Sequence, residues 1–402
     1  VNDDDRYTVI SADCHAGADL RDYKPYLESR YHDSFDEWAD EYVNPFEDLA
    51  KPDADRNWDS DRRVGDLEAD GIVAEVIYPN TVPPFFPGGN LTALVPSAAD
   101  FELRLAGLRA HNRWLAEFCA AAPGRRAGIG QFLLNDVDEA VRDVNWIADN
   151  GLKGVLLPGA PPGVPIEPLH SRAYDPVWRA CEERGVVINT HGGSSSPDYG
   201  EYPGAQLLWL METTWFSHRP FWTLVLSGVF DRFPGLRMAL AEQGSGWIPA
   251  ALRAMDSHYK SMAGGGIGEL QSLEEIRLSH LPSEFWQTNC YVTASFMHPY
   301  DCERRAMIGA DRIMWGSDYP HLEGTFPFSL ESLQRTFAGV EPTEAQAMLG
   351  GTAAEVYGFD MVELAAPAAK CGPRVGDVAA GLDAVPEGAR SLAFRERPPM
   401  NV

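Results

Sequence analysis

The 402 residues, 45% hydrophobic and 11% aromatic, supply enough apolar side chains for one large barrel or two medium domains and exclude a disordered chain. A formal net charge of -26 opposes binding to nucleic acid or to an anionic membrane, and no apolar run is long enough to span a bilayer. Residues 1–6, Val-Asn-Asp-Asp-Asp-Arg, have neither the basic nor the apolar part of a signal peptide, so a cytoplasmic enzyme is expected. Six scattered cysteines without a C-x-x-C pair point away from a zinc knuckle and from a disulfide framework.

In chain order, residues 7–10 read as a short apolar strand running out into Ser11-Ala12-Asp13-Cys14-His15. Residues two apart share a strand face, so Asp13 and His15 point one way and Cys14 the other. Residues 19–60, rich in Asp, Tyr, Trp and Pro, read as an insertion. A helix over 62–70, a strand over 72–78, a Pro-rich loop over 81–89 and a helix over 98–122 follow. The alternation continues with strand 127–134, helix 137–148, strand 154–157, helix 174–183 and strand 186–191. A helix over 220–230, strand 236–242, helix 247–259, strand 290–294, helix 301–309 and strand 312–318 complete it. The domain is expected to span residues 1–358. Residues 359–402 thin into Ala, Pro and Gly and read as an extended tail on the surface or on a neighbouring subunit.

Eight strands separated by helices imply parallel pairing through right-handed crossovers, the connectivity of an α/β (β/α)8 TIM barrel. Polar residues mark the C-terminal tips of four strands: Asp13 and His15, His191, Glu242, and Asp318. Barrel active sites form at that rim. An open doubly wound sheet would carry a Gly-rich phosphate loop after its first strand, and none follows this one.

Closing the barrel brings those five side chains into one pocket, a convergence of nitrogen and oxygen donors that points to a metal site. His218, just before Pro220, is placed at the same rim and becomes a sixth expected ligand. His321, three residues past Asp318, is expected to hydrogen-bond and fix that carboxylate, and His298 is left between these two roles. His258 and His280 read as structural, and His111 and His170 stay unassigned. Trp215, Phe216, Phe296, Phe85 and Phe86 flank rim loops, where they either pack or wall a pocket for a bulky substrate.

Four segments carry a family resemblance: His218-Arg219-Pro220, Glu242-Gln243-Gly244-Ser245-Gly246-Trp247-Ile248-Pro249, Leu281-Pro282-Ser283-Glu284 and Met314-Trp315-Gly316-Ser317-Asp318-Tyr319-Pro320-His321. They resemble the amidohydrolase-related barrels, whose decarboxylases and hydrolases bind one or two divalent metals. The chain departs from the family pattern where H-x-H on strand one becomes Asp13-x-His15, and where Glu242-Gln243 replaces a histidine on strand six. The strand-four lysine of binuclear hydrolases is also missing, since the tip is Leu157-Pro158.

A carboxylate-plus-imidazole set suits iron or manganese at least as well as zinc. The chain is similar to a branch of these barrels containing a nonheme diiron monooxygenase of diterpenoid biosynthesis. That resemblance implies two iron ions, O2, an external electron donor, a substrate carried in many relatives as a coenzyme A thioester, and a homo-oligomer. It implies hydroxylation of a C–H bond, with Asp318, Glu242 and His321 as catalytic groups. The alternative is a zinc- or manganese-dependent hydrolase or nonoxidative decarboxylase in which Asp318 moves a proton.

Overall fold

The computed structural model describes residues 2–43, 52–80, 83–87, 95–271 and 277–396. Parts of the expected 81–89 loop and the last residues of the expected tail lie outside the described residues. Eight strands form one sheet: β1 (Ile10–Ala16), β2 (Ala74–Pro79), β3 (Arg126–Gln131), β4 (Gly154–Leu156), β5 (Val187–His191), β6 (Met238–Ala241), β7 (Cys290–Ser295) and β8 (Ile313–Gly316). Each pairs in parallel with the next. A parallel bridge between Cys14 and Tyr319 closes β8 onto β1, with His15 N–H donating to Tyr319 O at 2.7 Å and Asp318 N–H to Asp13 O at 2.8 Å. The fold is a TIM-like (β/α)8 barrel.

The strands are buried on both faces, as parallel strands under helices must be. Their side chains divide with period two. Ile10, Ala12, Val76, Tyr78, Ile129, Ala239 and Met314 fill the barrel, whereas Ile77, Val155, Ile188, Leu240, Val292 and Trp315 pack outward. Local signals set the helix ends. Asp136 accepts from the Glu139 N–H at the start of Val137–Asp149, and Gly185, at φ 64°, ends Asp175–Arg184.

Three expectations change. The first strand is Ile10–Ala16, so Asp13 and His15 lie within it and not beyond it. The helix expected at 220–230 spans Ala205–Leu226 with Pro220 inside. Proline is a helix-start signal, and the stretch before it is apolar on nearly every side, so it shows no period. The segment past Gly358 is not an extended tail, because Met361–Cys371 and Val375–Ala379 are helices. Leu364 and Ala368, one turn apart, join Ala353, Val356 and Tyr357 in the inner core at the N-terminal end of the strands. An alanine-rich composition concealed that stripe. The described part of the insertion forms short helices, including His32–Glu41, that bury Tyr23 and Phe35. The Tyr23 hydroxyl meets His111 Nδ1 at 2.8 Å on the helix Phe101–Ala120.

Candidate metal centre

The site begins with an irregularity in β1. Ser11 faces Glu75 and Cys14 faces Ile77, so three steps along β1 match two along β2. The extra residue is a β-bulge. It lets Ala12 stay in the inner core while Asp13 also turns inward, and Cys14 packs in the outer core. His191 ends β5, and Asp318 follows β8 by two residues. β8 approaches closely because Gly316 has no side chain: a Cβ there would stand 2.7 Å from the Asp13 Cβ.

Asp13 Oδ1 lies 3.4 Å from both His15 Nε2 and His191 Nε2. Asp318 Oδ1 lies 3.2 Å from His15 Nε2 and accepts from His321 Nδ1 at 2.9 Å. Two groups result, Asp13–His15–His191 and His15–Asp318–His321, and the donor atoms in each lie within 4.8 Å of one another. His15 Nδ1 meets Pro79 O at 3.2 Å and His191 Nδ1 meets Gly192 O at 3.1 Å. Those carbonyls fix the orientation of the rings and turn both Nε2 atoms toward the carboxylates. His15 Nε2 and Asp318 Oδ2 are buried without a hydrogen-bond partner, a condition native interiors seldom tolerate. Such a buried N/O set without thiolate fits a divalent cation, which Asp13, His15, His191 and Asp318 would hold.

The electrostatics agree. Burial would raise the Asp13 carboxyl, but hydrogen bonds and charge from His15 and His191 hold it far below the usual carboxylate range. Burial likewise opposes ionisation of Asp318, and His321 and His15 outweigh it. Burial and His321 act to lower His15, yet the carboxylates of Asp13 and Asp318, 3.4 and 3.2 Å from its Nε2, carry it up to about 9. The protein's own imidazolium protons thus stand where a cation would neutralise the same carboxylates.

Around this floor the backbone is bent. Glu242 and Asp318 have φ of 52° and 58°, the left-handed region that non-glycine residues seldom enter. Glu242 is 25% exposed, and its Oε2 lies 3.3 Å from His191 Nδ1. Burial pushes its carboxyl up to about 8 against the pull of His191. A cavity of about 450 Å³ opens above, with His15, His191, Glu242 and His321 in its walls. Trp209, Leu210 and Thr213 of the helix Ala205–Leu226 and Leu392 near the C-terminus also line it.

Of the expected site residues, Asp13, His15, His191 and Asp318 come together, Glu242 borders them and His321 bonds Asp318. His218 does not join them. It is buried, its ring stacks on Trp247 with centroids 3.6 Å apart, and burial pushes its pKa down to about 3. The helix begins well before Pro220, so His218 lies within it and not at its mouth end. His298 accepts from Tyr300 N–H and caps Pro299–Glu303, and its Nε2 faces Arg395 O. Phe85 packs on Phe35 and Trp38 of the insertion.

Several contributors carry no mark in the sequence. The Ser295 hydroxyl donates to Asp13 Oδ2. Asn80 meets His321 Nε2 at 2.9 Å. Arg63 Nη1 donates to the His15 carbonyl at 2.8 Å. Buried Asp301 accepts from the N–H groups of Ser245 and Gly246, holding the turn that follows Glu242. Each is an ordinary polar residue whose partner lies on a distant strand or helix, so only the fold pairs them.

The amidohydrolase family model matches residues 13–359, and the chain belongs to that family. Among curated proteins it is similar to the gamma-resorcylate decarboxylase of Rhodococcus jostii, 27% identical over 224 residues. That match covers 53% of this chain and 65% of the relative, just under two thirds of the relative's length. The 2-amino-3-carboxymuconate-6-semialdehyde decarboxylase of Dictyostelium discoideum is 23% identical over 314 residues, 75% of this chain and 77% of that one. Among solved structures, the 5-carboxyvanillate decarboxylase of Novosphingobium aromaticivorans, complexed with manganese and 4-hydroxy-3-methoxy-5-nitrobenzoic acid, superposes with a TM-score of 0.67. It is 18% identical, and the superposition covers 89% of this chain and 99% of that one, so the likeness shows the barrel fold.

Proposed function

We propose that this chain is a metal-dependent nonoxidative decarboxylase of an aromatic acid of the hydroxybenzoate type. The observation that carries the reading is the buried cluster of Asp13, His15, His191 and Asp318, whose donor atoms fall in two groups sharing His15, with His15 Nε2 and Asp318 Oδ2 lacking hydrogen-bond partners. The decarboxylases among its family relatives support the reaction class, and manganese with an aromatic acid in a structural relative supports the pairing of metal and substrate.

A divalent ion, when bound, supplies Lewis-acid polarisation of the substrate's oxygens. Asp13 and the carbonyls of Pro79 and Gly192 set the orientation of the two imidazoles. Asp318, ionised at rest, is placed to pass a proton from His321 Nδ1 to the ring carbon bearing the carboxylate, with Asn80 holding His321 and solvent restoring its proton. The carbon–carboxyl bond then breaks, its electron pair restores the ring, and CO2 leaves. Glu242 steadies His191 from the pocket wall. No electron donor is consumed.

A second reading, the iron-dependent oxygenase, rests on the two donor groups that share His15 with Glu242 nearby, enough ligands for two ions. One experiment separates them. The manganese-loaded protein is given 2,6-dihydroxybenzoate or 5-carboxyvanillate under argon and in air, and CO2 is measured. Equal release under both gases is expected, with solvent deuterium appearing on the ring carbon. No CO2 under argon, together with O2 uptake by the iron-loaded protein and a reductant, would overturn the decarboxylase.

A further inference from the structure

Beside the metal pocket lies a second, smaller cavity of about 160 Å³. Its walls are residues 320–322 and 324–328 of the turn after β8, together with Arg56 and the chain segment Gly388, Arg390 and Ser391. The two cavities share His321 and Leu322. The C-terminal segment runs from one to the other, since the next residue, Leu392, lines the metal pocket. This segment is fastened down. Arg335 Nη1 donates to Phe394 O at 3.1 Å, His298 Nε2 meets Arg395 O at 3.2 Å, and Ala393 and Phe394 are buried.

The charges of the two cavities differ. No lysine or arginine stands among the described lining residues of the metal pocket, which has Glu242 and Glu323 in its walls. The smaller cavity has two guanidinium groups and no carboxylate among its lining residues. Arg390 has no carboxylate within ion-pair distance among the described residues, in a chain with 59 acidic residues to 33 basic ones. The Arg56 Nε lies 3.4 Å from Asp66 Oδ2, an ion pair without a hydrogen bond, and the same oxygen accepts from the Tyr319 hydroxyl at 2.7 Å. The volume suits one carboxylate or phosphoryl group with a few waters, at about 30 Å³ per water.

We propose that the Arg56–Arg390 cavity is an anion subsite that receives a carboxylate or phosphate at the far end of a substrate whose other end reaches the metal centre. The inference rests on the decarboxylase reading for the near end alone. It specifies a substrate with two separated anionic ends, one reacting and one held. Arg guanidinium groups suit that task because their fixed donors match the oxygens of both anions.

The test uses the full, manganese-loaded chain and calorimetric binding, so it needs no turnover. The probes are 2-hydroxybenzoate, the same ring carrying ω-carboxyalkyl or ω-phosphonoalkyl chains of graded length, and inorganic sulfate alone. The best tailed probe should bind about tenfold tighter than the untailed ring, the gain expected of one charge-assisted contact. That ratio should fall to near one in Arg390→Gln and partly return in Arg390→Lys, with the exposed position leaving the fold intact. Sulfate bound by the wild type and not by Arg390→Gln, with no gain from any tail, supports the subsite but assigns it to a separate anion. A tail gain that survives Arg390→Gln, or the absence of both gain and sulfate binding, overturns the proposal. Failure of 2-hydroxybenzoate to bind would instead count against the decarboxylase reading, and the sulfate arm would still decide the subsite.

Discussion

Two buried charged clusters flank β1, one on each side of the sheet, and they balance charge in opposite ways. Outside the barrel, Glu75 of β2 accepts from Arg63 Nε and Nη2 at 2.7 to 2.9 Å and from Arg126 Nε at 3.2 Å. All three are buried. Burial would raise the Glu75 carboxyl, but the two guanidinium groups hold it low. Inside the barrel, Asp13 and Asp318 have only imidazoles as charge partners, and His15 Nε2 and Asp318 Oδ2 lack hydrogen-bond partners. A buried charge needs a partner. The first cluster finds it in the chain, which marks it as structural; the second is completed by something the chain does not contain.

The sharpest way to break this comparison is His191→Ala. Metal content, read by elemental analysis, should fall from stoichiometric to background, and turnover with it, while unchanged metal content would refute the site. Next is Arg63→Met, which leaves Glu75 against Arg126 alone and should cost about 3–5 kcal/mol of stability in chemical unfolding. A loss below about 1 kcal/mol would show that the outer cluster is not held by its own pairing. Ser295→Ala removes the hydroxyl on Asp13 and should weaken metal affinity about 10–100-fold by competitive chelation, with little change in melting temperature.

Smallest at neutral pH is the effect of His218, an expected ligand that the structure sets apart. Burial depresses its pKa from 6.5 to about 3, so between those values the unfolded chain binds a proton that the folded chain does not. Stability from this residue is therefore complete above pH 6.5 and declines as pH falls toward 3, by at most about 1.4 kcal/mol per pH unit. His218→Phe should flatten that part of the stability profile, measured by urea unfolding across the range, and leave metal content unchanged. A loss of metal would return His218 to the ligand set.

Much of the barrel was legible because a parallel strand buried on both faces is a short apolar run, and its helices carry plain caps such as Asp136 and Gly185. The polar tips at Asp13, His15, His191 and Asp318 stood out against those runs. What failed to show were features whose local signal is weak or misleading. The helix Ala205–Leu226 is apolar around much of its circumference, Pro220 imitates a start, and the helix Met361–Cys371 hides in a stretch of alanines.

From its sequence alone, then, the chain determined that eight strand–helix units close into a barrel and that carboxylates and imidazoles crowd one rim, because period and polarity are local properties of the backbone. Only the tertiary structure decided which of them meet. The bulge that turns both Ala12 and Asp13 inward, the close approach of β8 at Gly316, and the removal of His218 into a stack with Trp247 all depend on contacts between residues far apart in the chain. So does the return of Arg390 and Leu392 to the mouth of the barrel, where a composition that read as a tail became part of the wall.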